Sequence, residues 1–270
     1  MKTSVIWSDG AFKNNTAPLQ GPLLECVSLA AQYGYDGITI SAKDAAEIDV
    51  PALKEALKAN DISVSGISTG GIFGGFKASL GSAEEEKRAL AVEKMCGLAK
   101  LCNQLDGARL VVAAVRGRVE EAGSRKAYEA QLRKSLSEIL EVCEPLGVTV
   151  LMEAMEAAAF QFCNTIEETA EFVKSFNSPY LRLQVDTYHI HGNAEEKSYV
   201  EAIKKYGNLI AQADFSDFDR TAPDGTKFDF KEYLEALEAI HYDDWCVFEY
   251  APEPPENAAK TGLDYIKSLL

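Results

Sequence analysis

Residues 148–153, VTVLME, form a β-branched and apolar run that stops on a carboxylate. The pattern returns three times, as LRLQVD at 181–186, LIAQAD at 209–214 and WCVFE at 245–249. The terminal acids Glu153, Asp186, Asp214 and Glu249 follow one another at intervals of 33, 28 and 35 residues, close to the roughly 30 residues of one strand-helix-strand unit. Such spacing places four acids at the same end of consecutive parallel strands. Upstream, TSVIW (3–7), GITI (37–40), ISVSGI (62–67) and ARLVVAAV (108–115) read as four more short strands.

Between the strands lie amphipathic segments with helical spacing, at 22–33, 51–59, 83–104, 125–143, 165–176, 197–206, 229–240 and 256–269. Eight strands alternating with eight helices predict an α/β fold, a single (β/α)8 TIM barrel over residues 1–270. Gly34, Gly107, Gly147 and Gly207 each fall between a helical segment and a strand, where a left-handed cap is wanted. Pro51 suits a first helical turn. An open doubly wound sheet would need a phosphate-binding loop after the first strand, and TSVIWSDGAFKNN has no glycine-rich cradle.

The formal charge of −15 and pI near 4.7 repel phosphate backbones and anionic lipid, so neither nucleic acid nor a membrane surface is an expected partner. Small molecules remain. The six cysteines, Cys26, Cys96, Cys102, Cys143, Cys163 and Cys246, show no CxxC pairing and sit in apolar patterns, as reduced thiols of a cytoplasmic protein would. No leader or apolar run of spanning length is evident, which leaves the Asn14-Asn15-Thr16 glycosylation sequon idle. Apolar residues along 83–104 leave room for a homo-oligomer.

One acid at a strand end is ordinarily a helix N-cap; four in register suit a divalent cation and proton transfer. Asp186-Thr187-Tyr188-His189-Ile190-His191 holds two of the three histidines, which on an extended segment share one face. Either imidazole can ligate a cation or hold a substrate oxygen, or simply bond a loop carbonyl. Arg220, in DFSDFDRTAPDG, either grips substrate oxygens bidentately or pairs with Asp217, Asp219 or Asp224. Arg116 and Arg118, directly after the fourth strand, pose the same choice. TGGIFGGF (69–76) has the composition of a lid over a small ligand, with Phe73 and Phe76 among its glycines. Gly66-Ile67-Ser68-Thr69-Gly70 matches the hydrolase elbow GxSxG, but a glycine-rich loop rather than a helix follows the serine.

With these residues placed, the chain resembles the sugar phosphate isomerase/epimerase family of xylose isomerase-like barrels, most closely the ketose 3-epimerases and keto-gluconate epimerases. The likeness rests on VVAAVRGR (111–118), LMEAMEAAAFQFCNTIEETAEFV (151–173), VDTYHIHGNAEE (185–196) and ADFSDFDRTAPDGTKFDFKEYLEAL (213–237) in this order. The resemblance implies a divalent cation on Glu153, Asp186, Asp214 and Glu249. It also implies proton transfer by Glu153 and Glu249, and substrate contacts from His189, Arg220, Asn164, Arg116 and Gln212. Two departures stand out. The family carries His-x-His on the seventh strand where this chain has Gln212-Ala213-Asp214, and a glutamate six residues after the first ligand where this chain has Ala159.

Four acids around one dication favour Mn²⁺ or Mg²⁺ over Zn²⁺. The expected reaction is proton abstraction beside the carbonyl of a ketose or keto-sugar acid, through an enediolate, by an isomerase or epimerase. Two other readings stay open: a lyase or dehydratase acting on a keto-inositol or related keto-sugar, and a non-catalytic barrel that binds a sugar or a partner.

Overall fold

The structure is a computed structural model that describes residues 1–10, 16–193, 195, 197–251 and 258–270. Eight parallel strands close a ring: β1 (Lys2–Ser8), β3 (Gly37–Ser41), β4 (Ser63–Ser68), β5 (Arg109–Val112), β6 (Val150–Glu153), β7 (Leu181–Asp186), β8 (Ile210–Phe215) and β9 (Trp245–Phe248). Closure comes from β1 pairing with β9, Lys2 opposite Trp245 through Val5 opposite Phe248. The two-residue β2 (Leu19–Gln20) pairs with the end of β1. Each of the eight barrel strands coincides with one of the predicted runs. Burial on both faces of a parallel sheet explains why they read as nearly unbroken apolar stretches.

The helices are α1 (Leu23–Tyr33), α2 (Val50–Asn60), α3 (Glu85–Gln104), α4 (Arg125–Leu146), α5 (Ile166–Lys174), α6 (Thr187–Gly192), α7 (Tyr199–Tyr206), α8 (Phe230–Ala239) and α9 (Ala258–Lys267). Every predicted helix is present apart from small shifts at its ends. Residues 256 and 257 of the last predicted helix, and Asn14 and Asn15 of the sequon, lie outside the described residues. Side-chain oxygens of Asp49, Thr165 and Asp229 accept the free amides of Ala52, Glu168 and Glu232 and so start α2, α5 and α8. All six cysteines are free thiols, five of them buried.

Four local expectations are corrected. Gly207 has φ −53°, not a left-handed value; a Cβ there would come within 2.7 Å of Ile240, so close packing is what demands the glycine. Gly34, Gly107 and Gly147 do adopt left-handed φ of +88°, +90° and +68°. The fourth predicted strand stops at Val112 because the chain turns through a 3-10 segment at Ala114–Arg116. The run 69–76 is not an open loop: Ile72–Phe76 forms one π-helical turn with Ile72 fully buried. Finally, DTYHIH is a short helix, α6, and not an extended segment.

A shell of apolar side chains between strands and helices forms the main core, running from Val5, Val27 and Ile38 round to Phe248 and Leu263. Inside the ring the lining is mixed, with small apolar clusters around Ile6 and Val247 and around Val111, Leu151 and Ala211 beside polar side chains. Ser4, Thr39 and Ser65 make a buried triangle of hydroxyl hydrogen bonds at 3.1, 2.6 and 2.7 Å, which satisfies each of them without water. Above this floor the barrel opens into a cavity at the carboxyl ends of the strands.

Candidate functional site

Alternation along a strand sends every second side chain inward. Thus Gln184 and Asp186 on β7, and Gln212 and Asp214 on β8, point to the barrel axis together with Glu153 at the end of β6. Register sets their heights: Glu153 faces Gln184, Gln184 faces Gln212, and Asp186 faces Asp214. Glu249 follows β9 directly, with its backbone amide on Phe215 O at 3.2 Å and its Oε1 accepting from Thr16 Oγ1 at 2.6 Å.

One carboxylate oxygen from each of Glu153, Asp214 and Glu249 lies within 4.8 Å of the other two. A second group meeting the same limit joins Glu153 to Asp186 and His189. The four acids therefore share one mouth as a triad plus one. Asp186 is also committed elsewhere: Oδ1 caps α6 through the Tyr188 amide at 2.9 Å, and Oδ2 lies 2.8 Å from Arg220 Nη1. Capping by Asp186 is why α6 forms, and it combines the ordinary strand-end role of an acid with a place in the site.

Asp214 is fully buried and accepts an amide on each oxygen, from Gln184 Nε2 at 2.9 Å and Gln212 Nε2 at 2.9 Å. Burial, with the neighbouring charges of Asp186, Glu249 and Glu153, pushes its carboxyl well above the usual carboxylate range. Having spent their amides there, Gln184 and Gln212 keep their Oε1 atoms buried and without a hydrogen-bond donor. Three converging carboxylates, one of which (Asp214) has its proton affinity raised by burial and by its neighbours, and two orphaned carbonyl oxygens fit a hard dication with oxygen ligands. Glu153, Asp214 and Glu249 are the residues that would hold it.

His189 is buried on α6 with Nδ1 in an ion pair with Glu156 and Nε2 3.5 Å from Glu153 Oε1 and 3.2 Å from Arg220 Nη2. Burial alone would lower its pKa, but the surrounding carboxylates of Glu153, Glu156 and Asp186 prevail and push it up to about 9. Arg220 adopts a left-handed backbone, φ +59°, with its carbonyl accepting from Ala251 N at 2.7 Å. Its guanidinium sits 4.2 Å above the Tyr188 ring and donates to Glu249 O at 3.2 Å. The acids around it outweigh burial and keep it charged.

Not every predicted residue reaches the cavity. Arg116 is fully buried, and its guanidinium is consumed by carbonyls: Ala113 at 3.1 Å, Val112 at 3.0 Å, Phe162 at 3.2 Å, Cys163 at 3.4 Å, and the backbone oxygen of Glu153. That places it beneath the site as a brace, not among the substrate contacts predicted for it. Asn164 also braces, donating to Met155 O at 2.8 Å and to Phe160 O. Arg118 stands 5.9 Å over Phe73 and 3.8 Å from Glu120. His191 stacks on Phe218 with centroids 3.5 Å apart; two residues along the helix turn its side chain about 200° away from that of His189. Gln212 does line the cavity, alongside Glu153, Asp214, His189, Arg220 and Glu249.

Two residues escaped sequence reasoning. Gln184 bridges Glu153, at 3.2 Å, and Asp214; its alternation with Asp186 was the available signal. Glu156 lines the cavity and engages His189, and no spacing pointed to it. The cavity measures about 930 Å³ and its outer wall carries Phe73 and Phe160, in edge contact at 6.4 Å.

Similarity to known proteins agrees with this architecture. The D-psicose 3-epimerase of Enterocloster bolteae is 28% identical over 120 residues, 44% of this chain, and the match spans only 39% of that enzyme. The ketose 3-epimerase of Arthrobacter globiformis is 23% identical over 228 residues, 83% of this chain and 75% of that protein. Among solved structures, D-allulose 3-epimerase from Methylomonas sp. in complex with D-allulose superposes with a TM-score of 0.80 at 20% identity, covering 100% of this chain and 97% of the other. The family profile described as xylose isomerase-like TIM barrel matches residues 27–269. With a closed eight-stranded parallel ring and a profile match along nearly its whole length, the chain belongs to the xylose isomerase-like TIM barrel family.

Proposed function

We propose that this protein is a divalent-metal-dependent sugar epimerase or isomerase that moves a proton at the carbon beside the carbonyl of a ketose or keto-sugar. The observation that carries the reading is the convergence of Glu153, Asp214 and Glu249 on one point within 4.8 Å, at the mouth where barrels of this kind place their chemistry. Its similarity to ketose 3-epimerases adds support. A bound Mn²⁺ or Mg²⁺ would supply Lewis acidity toward the carbonyl and adjoining hydroxyl, which acidifies the neighbouring C–H.

Glu153 and Glu249 act as the proton-transfer pair: one removes the proton, the other returns one to the resulting enediolate. Arg220 and His189 present N–H groups to the oxygen on which charge develops. Phe73 and Phe160 narrow the outer cavity and limit water. The polar contacts with substrate are made by His189, Arg220 and Gln212, with neither Arg116 nor Asn164 among them. Reduced buried thiols suit a cytoplasmic location, and no helix among the described residues is long and apolar enough to cross a membrane.

The test is exchange of substrate carbon-bound hydrogen with D₂O across a panel of ketoses and keto-sugars, with Mn²⁺, with Mg²⁺ and after chelation. Deuterium incorporation that needs the cation and vanishes in Glu249→Gln supports the reading. Full activity of the chelated protein or of that variant, or loss of a water from the substrate, would overturn it.

A further inference from the structure

We propose that Gln184 is a positioning residue for the cation site: its two side-chain N–H groups tie Glu153 to Asp214 and set the gap between them before any cation arrives. The role in cation binding rests on the function proposed above; the amide bridge rests on geometry alone.

Gln184 lies on β7, the strand between β6, which ends in Glu153, and β8, which carries Asp214. Two residues before Asp186, it shares the inward face of that acid. In register it stands opposite Glu153 on one side and Gln212 on the other. Neighbouring strands are about 4.8 Å apart, so β6 and β8 are separated by roughly twice that. Yet one oxygen of Glu153 and one of Asp214 belong to a group whose members all lie within 4.8 Å of one another. Two carboxylates drawn together in this way repel, and Gln184 supplies a donor to each. Its Nε2 reaches Glu153 Oε1 at 3.2 Å and Asp214 Oδ2 at 2.9 Å. An amide has two side-chain N–H groups, and both are spent on acids.

The orientation of the amide follows from its surroundings. Nε2 meets two carboxylate oxygens, while Oε1 is buried and meets no donor; a flipped amide would press a carbonyl oxygen against both acids. The residue is only 2% exposed, so water does not compete for these bonds. Leaving Oε1 unsatisfied is destabilising. An apolar side chain of similar size would avoid that cost, but it could not donate to two acids at once. Gln212 differs, because its Nε2 donates to Asp214 Oδ1 at 2.9 Å, two residues along the same strand. It holds one ligand, whereas Gln184 joins two. Ligands kept at working distance by outer hydrogen bonds bind their ion with little reorganisation.

The experiment measures Mn²⁺ affinity by calorimetry, beside crystal structures of the metal-free proteins. Gln184→Met keeps the volume and removes both donors. Its Mn²⁺ affinity is expected to fall about 10–100-fold, the usual cost of losing a partner that orients metal ligands. Gln212→Met is expected to lose less, and both variants to melt cooperatively without the cation. Gln184→Asn, one methylene too short to span both acids, should also bind Mn²⁺ more weakly, and it serves as the test if the methionine variant does not fold. In the metal-free wild type the amide should lie within hydrogen-bond distance of both acids; in Gln184→Met, Glu153 and Asp214 should move apart. A merely structural glutamine would change the melting temperature and leave the affinity alone. Unchanged affinity in Gln184→Met, or an equal loss in both methionine variants, would overturn the positioning role while the proposed function stands. A wild type that takes up neither Mn²⁺ nor Mg²⁺ would instead refute the cation site itself and the role with it. A metal-free wild-type structure whose amide touches at most one acid would remove the bridge whatever the protein binds.

Discussion

Arg220 Nη1 stands 2.8 Å from Asp186 Oδ2, joining the loop after β8 to the end of β7 across the rim of the barrel. Asp186 is essentially inaccessible to water, so this pair neutralises a buried charge, and it does so at the entrance to the cavity. Arg220→Ala should therefore lower both substrate use and stability, the latter by about 2–3 kcal/mol, because a buried carboxylate loses its partner. Urea unfolding of the variant beside its steady-state kinetics checks both; an unchanged unfolding midpoint would show that the pair contributes nothing to the fold.

Arg116 should matter to folding more than to substrate recognition. Its five carbonyl partners come from the last residue of β5 and the turn after it, from Glu153 and from residues 162 and 163, and truncation removes the donor they share. Arg116→Met is expected to destabilise by about 3–5 kcal/mol. Arg116→Lys should recover little of that, since an ammonium cannot reach five acceptors in a plane. Urea midpoints of the two variants, compared with KM for any active fraction, separate this from a substrate role, which would raise KM at unchanged stability.

Cation binding should release protons. Burial, with Asp186, Glu249 and Glu153 nearby, raises the proton affinity of Asp214, and a dication reverses that preference. Titrating Mn²⁺ into the metal-free protein in buffers of different ionisation enthalpy should show net proton release near neutral pH, absent in Asp214→Asn. The cation should also raise stability by about 2.7 kcal/mol at a free concentration of 100 times Kd. A binding heat independent of buffer would contradict the assignment of Asp214.

The metal-free protein should lose stability as pH rises. The carboxylates around His189 push its folded pKa up to about 9 from its ordinary 6.5, so the folded state binds the proton more tightly. Its contribution is fully present below about pH 6.5 and is lost as pH rises through about 9, amounting to at most about 3 kcal/mol. Asp214, whose carboxyl is also raised, adds a loss of the same sign from about pH 4 upward to its own folded pKa. Thermal melts of the chelated protein from pH 6 to 9.5 should slope downward, more gently in His189→Asn. A flat or rising profile would show that the carboxylates around His189 do not hold it charged.

The eight strands were legible because a parallel sheet covered on both sides needs unbroken apolar runs, and the four terminal acids interrupt those runs at one end. The helix α6 was not, since Thr187, Tyr188 and Ile190 favour strands locally; the Asp186 cap and the contact of Thr187 Oγ1 with Ser216 O at 2.7 Å override that preference. Gly207 was misread for a related reason. A glycine before a strand signals either a left-handed turn or a close approach, and only the position of Ile240 decides between them.

By itself the amino-acid sequence determined the barrel, its polarity and the presence of Glu153, Asp186, Asp214 and Glu249 at one mouth, because periodicity and spacing along the chain translate directly into strand direction and side-chain face. Only the tertiary structure decided which polar groups meet. Arg116 and Arg220 both follow strands and both read as substrate ligands, yet one is surrounded by backbone carbonyls and the other by carboxylates of the cavity. Glu156 carried no signal in its spacing and became part of the site through His189, 33 residues away in the chain. Contacts of that kind depend on how loops and strand ends approach in space, and a linear pattern holds no record of those distances.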